Sequence, residues 1–328
     1  MNTQLTNVSA PKKGMLFALL AFLFSITAYG EGSAGFSLVD DKKETKISFT
    51  LINNLIVIPI RLNNGQITKA VVDTGVRSVI LYGKYHRKNL DFTNTRNVKI
   101  NGLGRGKRQE GKLSVNNVLR IGDVLGEGLG VVSIDDIIPF EILHNEGVEV
   151  ILGYQLFSNF IIEIDYLNNE ITFRNPIYFA PNLEADHFDL ELIDTKPYIT
   201  TTLKIKNEHS VLQANEMKIL LDTGAALDMM IYSNSKNAKL FTLNTSSKVA
   251  IGQGMNGKID GKITSQLDID IGQIELSDIV VSIADKQSGK QHRKFFGVDG
   301  LIGGNVLKQY KVTFDYINGD VYLEKPDI

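Results

Sequence analysis

The chain of 328 residues contains no cysteine. A disulfide framework, a thiol nucleophile and a thiolate metal site are thereby excluded, and so is a lipid carried on an N-terminal cysteine. Net charge is small: 35 basic against 37 acidic residues leave a formal −2, with a pI near 6.2. That balance offers no electrostatic footprint for nucleic acid, and no nucleic-acid partner is expected. Histidine is sparse. The five residues His86, His144, His187, His209 and His292 are scattered without metal-ligand spacing and read as structural or surface groups, so neither a metal nor a cofactor is expected. No Gly-x-Ser-x-Gly nucleophile elbow occurs, and helical periodicity is thin.

A membrane-length apolar run is missing as well. The longest, from Met15 to about Ile26, would reach roughly 18 Å as a helix against a hydrocarbon core of roughly 30 Å. Lys12-Lys13 precede it and Ala28-Tyr29-Gly30 follow, with small residues at the two cleavage-determining positions, the pattern of an export signal cut after Gly30. Residues 1–30 hold two lysines and no acid, so their removal takes the formal balance to −4. The expectation is a mildly acidic, exported protein, periplasmic or secreted, with no membrane attachment in its mature form.

What the chain does have is an internal repeat. Asp-Thr-Gly occurs as Asp73-Thr74-Gly75, after Val71-Val72, and again as Asp222-Thr223-Gly224, after Leu220-Leu221. Gly102, Gly104, Gly111 and Gly122 recur 150 positions on as Gly252, Gly254, Gly261 and Gly272, and Ile151-Leu152-Gly153 recurs as Leu301-Ile302-Gly303. The same offset joins Asp165-Tyr166 to Asp315-Tyr316, while the two acids differ by 149, the register being restored by one inserted residue near Ala226-Leu227. A period this long, present twice, reads as a duplicated domain rather than a solenoid.

Ile47–Ile52, Leu55–Leu62 and Ile67–Val72 are short runs rich in Ile, Val and Thr, separated by Asn53-Asn54 and Asn63-Asn64-Gly65, which are hairpin-turn signals. They predict antiparallel strands that deliver Asp73 at a strand end. Phe188–Ile193, Tyr198–Lys206 and Met217–Leu221 repeat the plan before Asp222, with a longer hairpin. Short helical turns are expected at Tyr154–Asn159 and Asn305–Gln309. The expected organisation is a signal over 1–30, a tether over 31–46, an N-terminal lobe over 47–176, a proline-bearing connection over 177–197 and a C-terminal lobe over 198–328. The fold class is all-β.

One Asp at a strand end in each of two equivalent lobes can meet its counterpart near an approximate two-fold axis. Two carboxylates about 4 Å apart at an effective dielectric of 20 repel by roughly 4 kcal/mol, so the pair retains one proton between them. The ionised member can then act as general base on a water, and the protonated member can polarise a carbonyl and later protonate a leaving amine. The titration belongs to the pair, not to either residue.

On these motifs the chain resembles the aspartic proteases over roughly residues 47–325, and within them the retropepsin-like bacterial branch, carrying both halves in one chain. Asp73-Thr74-Gly75-Val76-Arg77-Ser78 and the ending Asp299-Gly300-Leu301-Ile302-Gly303-Gly304, with Phe314-Asp315-Tyr316 beyond, carry the likeness. The resemblance implies the acid-protease fold, two pseudo-symmetric β-barrel lobes with the active site in the cleft between them. It implies an endopeptidase with Asp73 and Asp222 as catalytic pair, a peptide or protein as substrate and a monomer acting as an intramolecular pseudo-dimer. Thr74 and Thr223 would bond across the lobe interface, and Gly75 and Gly224 would let the backbone turn beneath the carboxyls. Gly102 and Gly104, and Gly252 and Gly254, would belong to flaps that close over a peptide. Val76 and Ala225 stand where pepsins carry a hydroxyl, which predicts a pH optimum nearer neutral than theirs.

The same residues admit rival readings. A peptide-binding module on the same fold, holding without cutting, is the alternative. A two-carboxylate glycosidase would need unlike environments for its acids, which equivalent repeat positions do not provide. Gly252–Gly257 spells a dinucleotide fingerprint but runs into Lys258–Ile271, which alternates as strands and opens no helix. Arg105, Lys107 and Arg108 read as a solvated loop face or a subsite for an acidic residue.

Overall fold

β-Branched segments punctuated by Asn and Gly turns fold as hairpins, and the computed structural model describes them over residues 35–83, 95–100, 102–135, 141–207, 210–242, 245–288 and 297–326. The export-signal stretch 1–30 and His86, His209 and His292 lie outside the described residues. The architecture is mostly β, in two sheets. Strand Leu55–Leu62 pairs antiparallel with Ile67–Val72, placing Val57 opposite Val71, and Asp73 follows directly. In the second lobe Lys196–Asn207 pairs with Ser210–Asp222, Tyr198 opposite Leu220, and that strand ends on Asp222 itself.

The first sheet runs through strands 124–134, 79–82, 148–152, 67–72, 55–62 and 109–121, and pairing of 109–121 with 124–134 returns the hydrogen-bonded path to its start. The second contains the equivalent circuit, 274–284, 229–232, 300–303, 210–222, 196–207 and 257–271, closed by pairing of 257–271 with 274–284. Strands 161–165 and 311–315 pair antiparallel between the halves, Glu163 opposite Thr313, flanked by Ile162–Phe314 and Ile164–Val312. Glu163 and Thr313 are one repeat apart, so the register is symmetric about them and an approximate two-fold passes through that pair. Residues Ala34–Ile328 cluster as one unit.

Two stretches carry more structure than the sequence led us to expect. The tether 31–46 contains strand Gly35–Leu38, paired with Val124–Ile134, and the start of Glu44–Ser48, paired with Glu170–Arg174. Both lie on sheet edges whose backbone groups would otherwise be unpaired. The connection 177–197 begins in a 3-10 turn, Pro176–Tyr178, and then forms strand Asp186–Ile193, which bonds to Asp320–Glu324 through its first half and to Lys196–Asn207 through its second.

Strand alternation divides the core from the cleft. Val79 and Leu81 point into the main hydrophobic core with Leu152, while Ile80, Tyr82 and Ile151 form a separate cluster on the other face. Met229, Ile231 and Ile302 repeat the first set, and Met230, Tyr232 and Leu301 the second. The helical turns Tyr154–Phe157 and Gly304–Leu307 follow the two apolar-apolar-Gly motifs. Among the described residues no helix is long and apolar enough to cross a membrane.

Candidate active site

Behind each acid the apolar-apolar-Gly strand runs parallel to the Asp-bearing strand, Leu152 beside Val72 and Gly303 beside Asp222. The chain crosses so closely that a Cβ on Gly153 would collide with the carbonyl oxygen of Val76, and one on Gly303 with that of Leu227. This accounts for the glycine in both repeats. The Asp73 N–H donates to Leu152 O at 2.8 Å, the Tyr154 N–H to Val76 O at 3.0 Å and the Gly304 N–H to Ala225 O at 2.7 Å, so each Asp loop is tied down from below.

The two loops are locked to each other through the threonines. Thr74 Oγ1 donates to Leu221 O at 2.6 Å and accepts from the Thr223 N–H at 3.0 Å. Thr223 Oγ1 donates to Val72 O at 2.9 Å and accepts from the Thr74 N–H at 3.1 Å. Both are buried, 0% and 1% exposed. The four bonds exchange under the two-fold and leave hydroxyls and amides of both loops satisfied.

Above this lock, the carboxyls of Asp73 and Asp222 meet. The Gly75 N–H donates to Asp73 Oδ1 at 2.7 Å and the Gly224 N–H to Asp222 Oδ1 at 3.0 Å. Neither glycine has room for a side chain: a Cβ on Gly224 would fall on the Asp73 carboxyl, and one on Gly75 would lie 3.0 Å from oxygens of both acids. The carboxyls are half-buried. Burial pushes Asp73 above the usual carboxylate range against the pull of the Gly75 N–H, the Asp222 hydrogen bond and the Lys196 charge. Burial, then the charge of Asp73, push Asp222 well above it. The pair thus holds a proton at pH values where a free carboxyl has lost it.

The acids line a cavity of about 1090 Å³. Its walls are the two cleft-facing apolar clusters, with Ile80, Val132 and Ile151 on the N-terminal side and Leu220, Met230 and Leu301 on the C-terminal side. Two hairpins roof it. The loop after strand Arg96–Ile100 and the turn between strands Val249–Gly254 and Gly257–Ile271 meet tip to tip. The Gly106 N–H donates to Asn256 O at 2.5 Å, the Asn256 N–H to Leu103 O at 2.8 Å and Asn256 Nδ2 to Gly102 O at 2.9 Å. The tips cross: Leu103 packs on the C-terminal apolar cluster and Met255 on the N-terminal one.

Of the four flap glycines singled out from sequence, Gly102, Gly104 and Gly254 lie in these contacts, where a Cβ would strike Met255, Gly257 and Leu103 respectively. Gly104 also needs its positive φ of 117°. Gly252 lines the cavity but faces open space. Arg105, read as a solvated loop residue or a subsite, instead bonds Asp260 at 2.9 Å and also pairs with Asp285, fastening one hairpin to the other lobe. Nothing in the local sequence could have revealed partners 155 and 180 positions away.

Away from the cleft, strand pairing gathers what sequence spacing did not. His187, Asp189 and Asp320, on the paired strands Asp186–Ile193 and Asp320–Glu324, each bring a potential ligand atom within 4.8 Å of the others, and His187 Nε2 and Asp320 are already hydrogen-bonded at 2.8 Å. Compared with known proteins, the chain matches no family model and no curated sequence.

Proposed function

We propose that this chain is an aspartic endopeptidase of the acid-protease fold, each strand circuit being one β-barrel lobe, with Asp73 and Asp222 as its catalytic pair. The observation that carries the reading is the meeting of two repeat-equivalent carboxyls over a reciprocal threonine lock. An extended peptide would lie beneath the hairpins with apolar side chains against the two cleft clusters. The ionised carboxylate takes a proton from a water as its oxygen bonds to the scissile carbonyl carbon, and the protonated partner donates to the carbonyl oxygen. Collapse of the tetrahedral species breaks the C–N bond, with a proton passing to the leaving amine. The hairpins and the apolar walls would limit water around a bound peptide, which strengthens the action of charges in the site. The N-terminal 30 residues support a site of action outside the cytoplasm.

The test is cleavage of a diverse peptide library from pH 3 to 8 by the chain from Glu31 onward, beside Asp73→Asn and Asp222→Asn. Loss of cleavage in both variants is expected, because neither carboxyl alone can hold the shared proton. Retained cleavage in either variant would remove the paired mechanism. Interlocked hairpins that hold a peptide without cutting it would suit the binding reading, and a folded native protein that captures peptides uncut at every pH would establish that instead.

A further inference from the structure

The lobes repeat each other closely around the acids, and one place where they part company lies inside the cleft. The hairpin turn that opens strand Leu55–Leu62 is Asn53-Asn54, and the one that opens Lys196–Asn207 is Asp194-Thr195. Both turns place two successive residues at positive φ, 51° and 61° in the first and 47° and 68° in the second, so the backbones correspond. The next residue lines the cavity in each lobe: Leu55 on one side and Lys196 on the other. Leu55 is 9% exposed, and the Lys196 side chain 13%.

An ammonium so enclosed needs compensation. Asp194 supplies it at 3.3 Å, but Arg77, from the loop after the first acid, also approaches Asp194 at 3.8 Å. Asp194 is thus shared between the Lys196 ammonium and the Arg77 guanidinium. Neither Val76 nor Ala225 carries a hydroxyl that could stabilise a carboxylate here. We propose that Lys196 is a positioning residue for the acid pair, its ammonium anchored by Asp194 in the cleft wall so that its field favours the singly ionised over the doubly protonated pair.

The charge of Lys196 acts on both acids in that direction, against their burial. The other charged or titratable groups facing the site are Tyr198 on the same strand, Tyr232, Tyr316 beneath the acids, and Lys99 and Glu141 in the far wall. The three tyrosines are pushed up by burial first, then by carboxylates at Tyr198 and Tyr316 and by Tyr198 and Asp222 at Tyr232, so they stay neutral and do not compete. The inference rests on the hydrolytic reading for its consequence in catalysis, and on the electrostatics alone for its effect on titration.

The test compares Lys196→Met, Lys196→Arg and Asp194→Asn. Asn53 and Leu55 hold the same turn in the other lobe, so the Asn and apolar replacements are compatible with the backbone. Two readouts are needed: the pH profile of kcat/KM on a peptide that the native protein cleaves, and carboxyl ¹³C titration of Asp-labelled protein, with the pair assigned through Asp73→Asn and Asp222→Asn. Removing a nearby cation raises carboxyl pKa values. Both limbs of the bell, and both ¹³C midpoints, are expected to move to higher pH in Lys196→Met and to return in Lys196→Arg. In Asp194→Asn they move to lower pH, because the negative charge that Asp194 sets against Lys196 and Arg77 is gone. Midpoints unmoved in Lys196→Met, or moved in the same direction by both substitutions, would overturn the proposal. If the native protein cleaves nothing, the hydrolytic reading fails, and the ¹³C midpoints still decide whether Lys196 tunes the pair.

Discussion

Thr74→Val removes one hydroxyl from the lock beneath the acids while keeping the shape of the side chain. Two of the four cross-lobe bonds go: the donation to Leu221 O at 2.6 Å and the acceptance from the Thr223 N–H at 3.0 Å. Valine leaves no cavity, and no water replaces the hydroxyl at a residue with 0% exposure. Each buried polar group stripped of its partner costs about 1–3 kcal/mol, so the loss is about 2–6 kcal/mol. Against a typical stability of about 5–15 kcal/mol this is a large fraction. Thr74→Ser keeps both bonds and loses one methyl, for about 1 kcal/mol. Urea unfolding followed by far-UV circular dichroism suits a chain without tryptophan. Thr223→Val should match Thr74→Val, and the double variant should cost less than the sum, because loops loosened by the first change have less to lose from the second. Equal costs for the Val and Ser variants at Thr74, or a Val variant within about 0.5 kcal/mol of native, would refute the reasoning.

The raised titration of the acid pair has a consequence for stability. Between the free carboxyl value near 3.9 and the higher folded value of Asp222, the folded protein holds a proton that the unfolded chain has released, so stability falls as pH rises through that window. Asp222→Asn should therefore have no Tm advantage at pH 3 and a growing one toward neutral pH, about 1.4 kcal/mol for each pH unit of separation; a Tm difference independent of pH would contradict this. Arg105→Ala should loosen the roof without unfolding the lobes. Asp260 and Asp285 keep Lys258 and Lys248 as partners, which limits the loss to about 1.4 kcal/mol, seen as about tenfold faster hydrogen exchange at the Gly106 and Asn256 amides. Unchanged exchange there would mean that the backbone bonds alone hold the tips.

Residues that solve a local problem were legible in the sequence. The bounds of strands Leu55–Leu62 and Ile67–Val72 follow from β-branched runs stopped by Asn-rich turns, because the turn residues adopt the required backbone whatever lies elsewhere. The duplicated Asp-Thr-Gly and apolar-apolar-Gly motifs were legible for a related reason. The glycine of each apolar-apolar-Gly motif answers a steric demand made within its own repeat, Gly153 by Val76 and Gly303 by Leu227, and those after the acids answer one made by the acid pair itself, so both demands recur with the repeat. Strands Gly35–Leu38 and Glu44–Ser48 were not legible. Short segments become strands only because distant edges, Val124–Ile134 and Glu170–Arg174, offer unpaired backbone.

Matching one repeat to the other finds what the halves share and passes over what divides them. The features that set this cleft apart are all divisions: Lys196 where the other lobe has Leu55, Asp194 for Asn53, and Arg105 reaching to acids of the opposite half. On the proposed reading, an identical pair of half-sites would present two equivalent carboxyls and no reason for a bound peptide to lie in one direction. A peptide has direction, and a two-fold site must be made unequal to read it. The charge at Lys196 and Asp194, set against an aliphatic and neutral equivalent, supplies such an inequality next to the acids. The symmetry that builds the pair and the departures that orient it are separate signals, and only the first can be found by aligning the chain with itself.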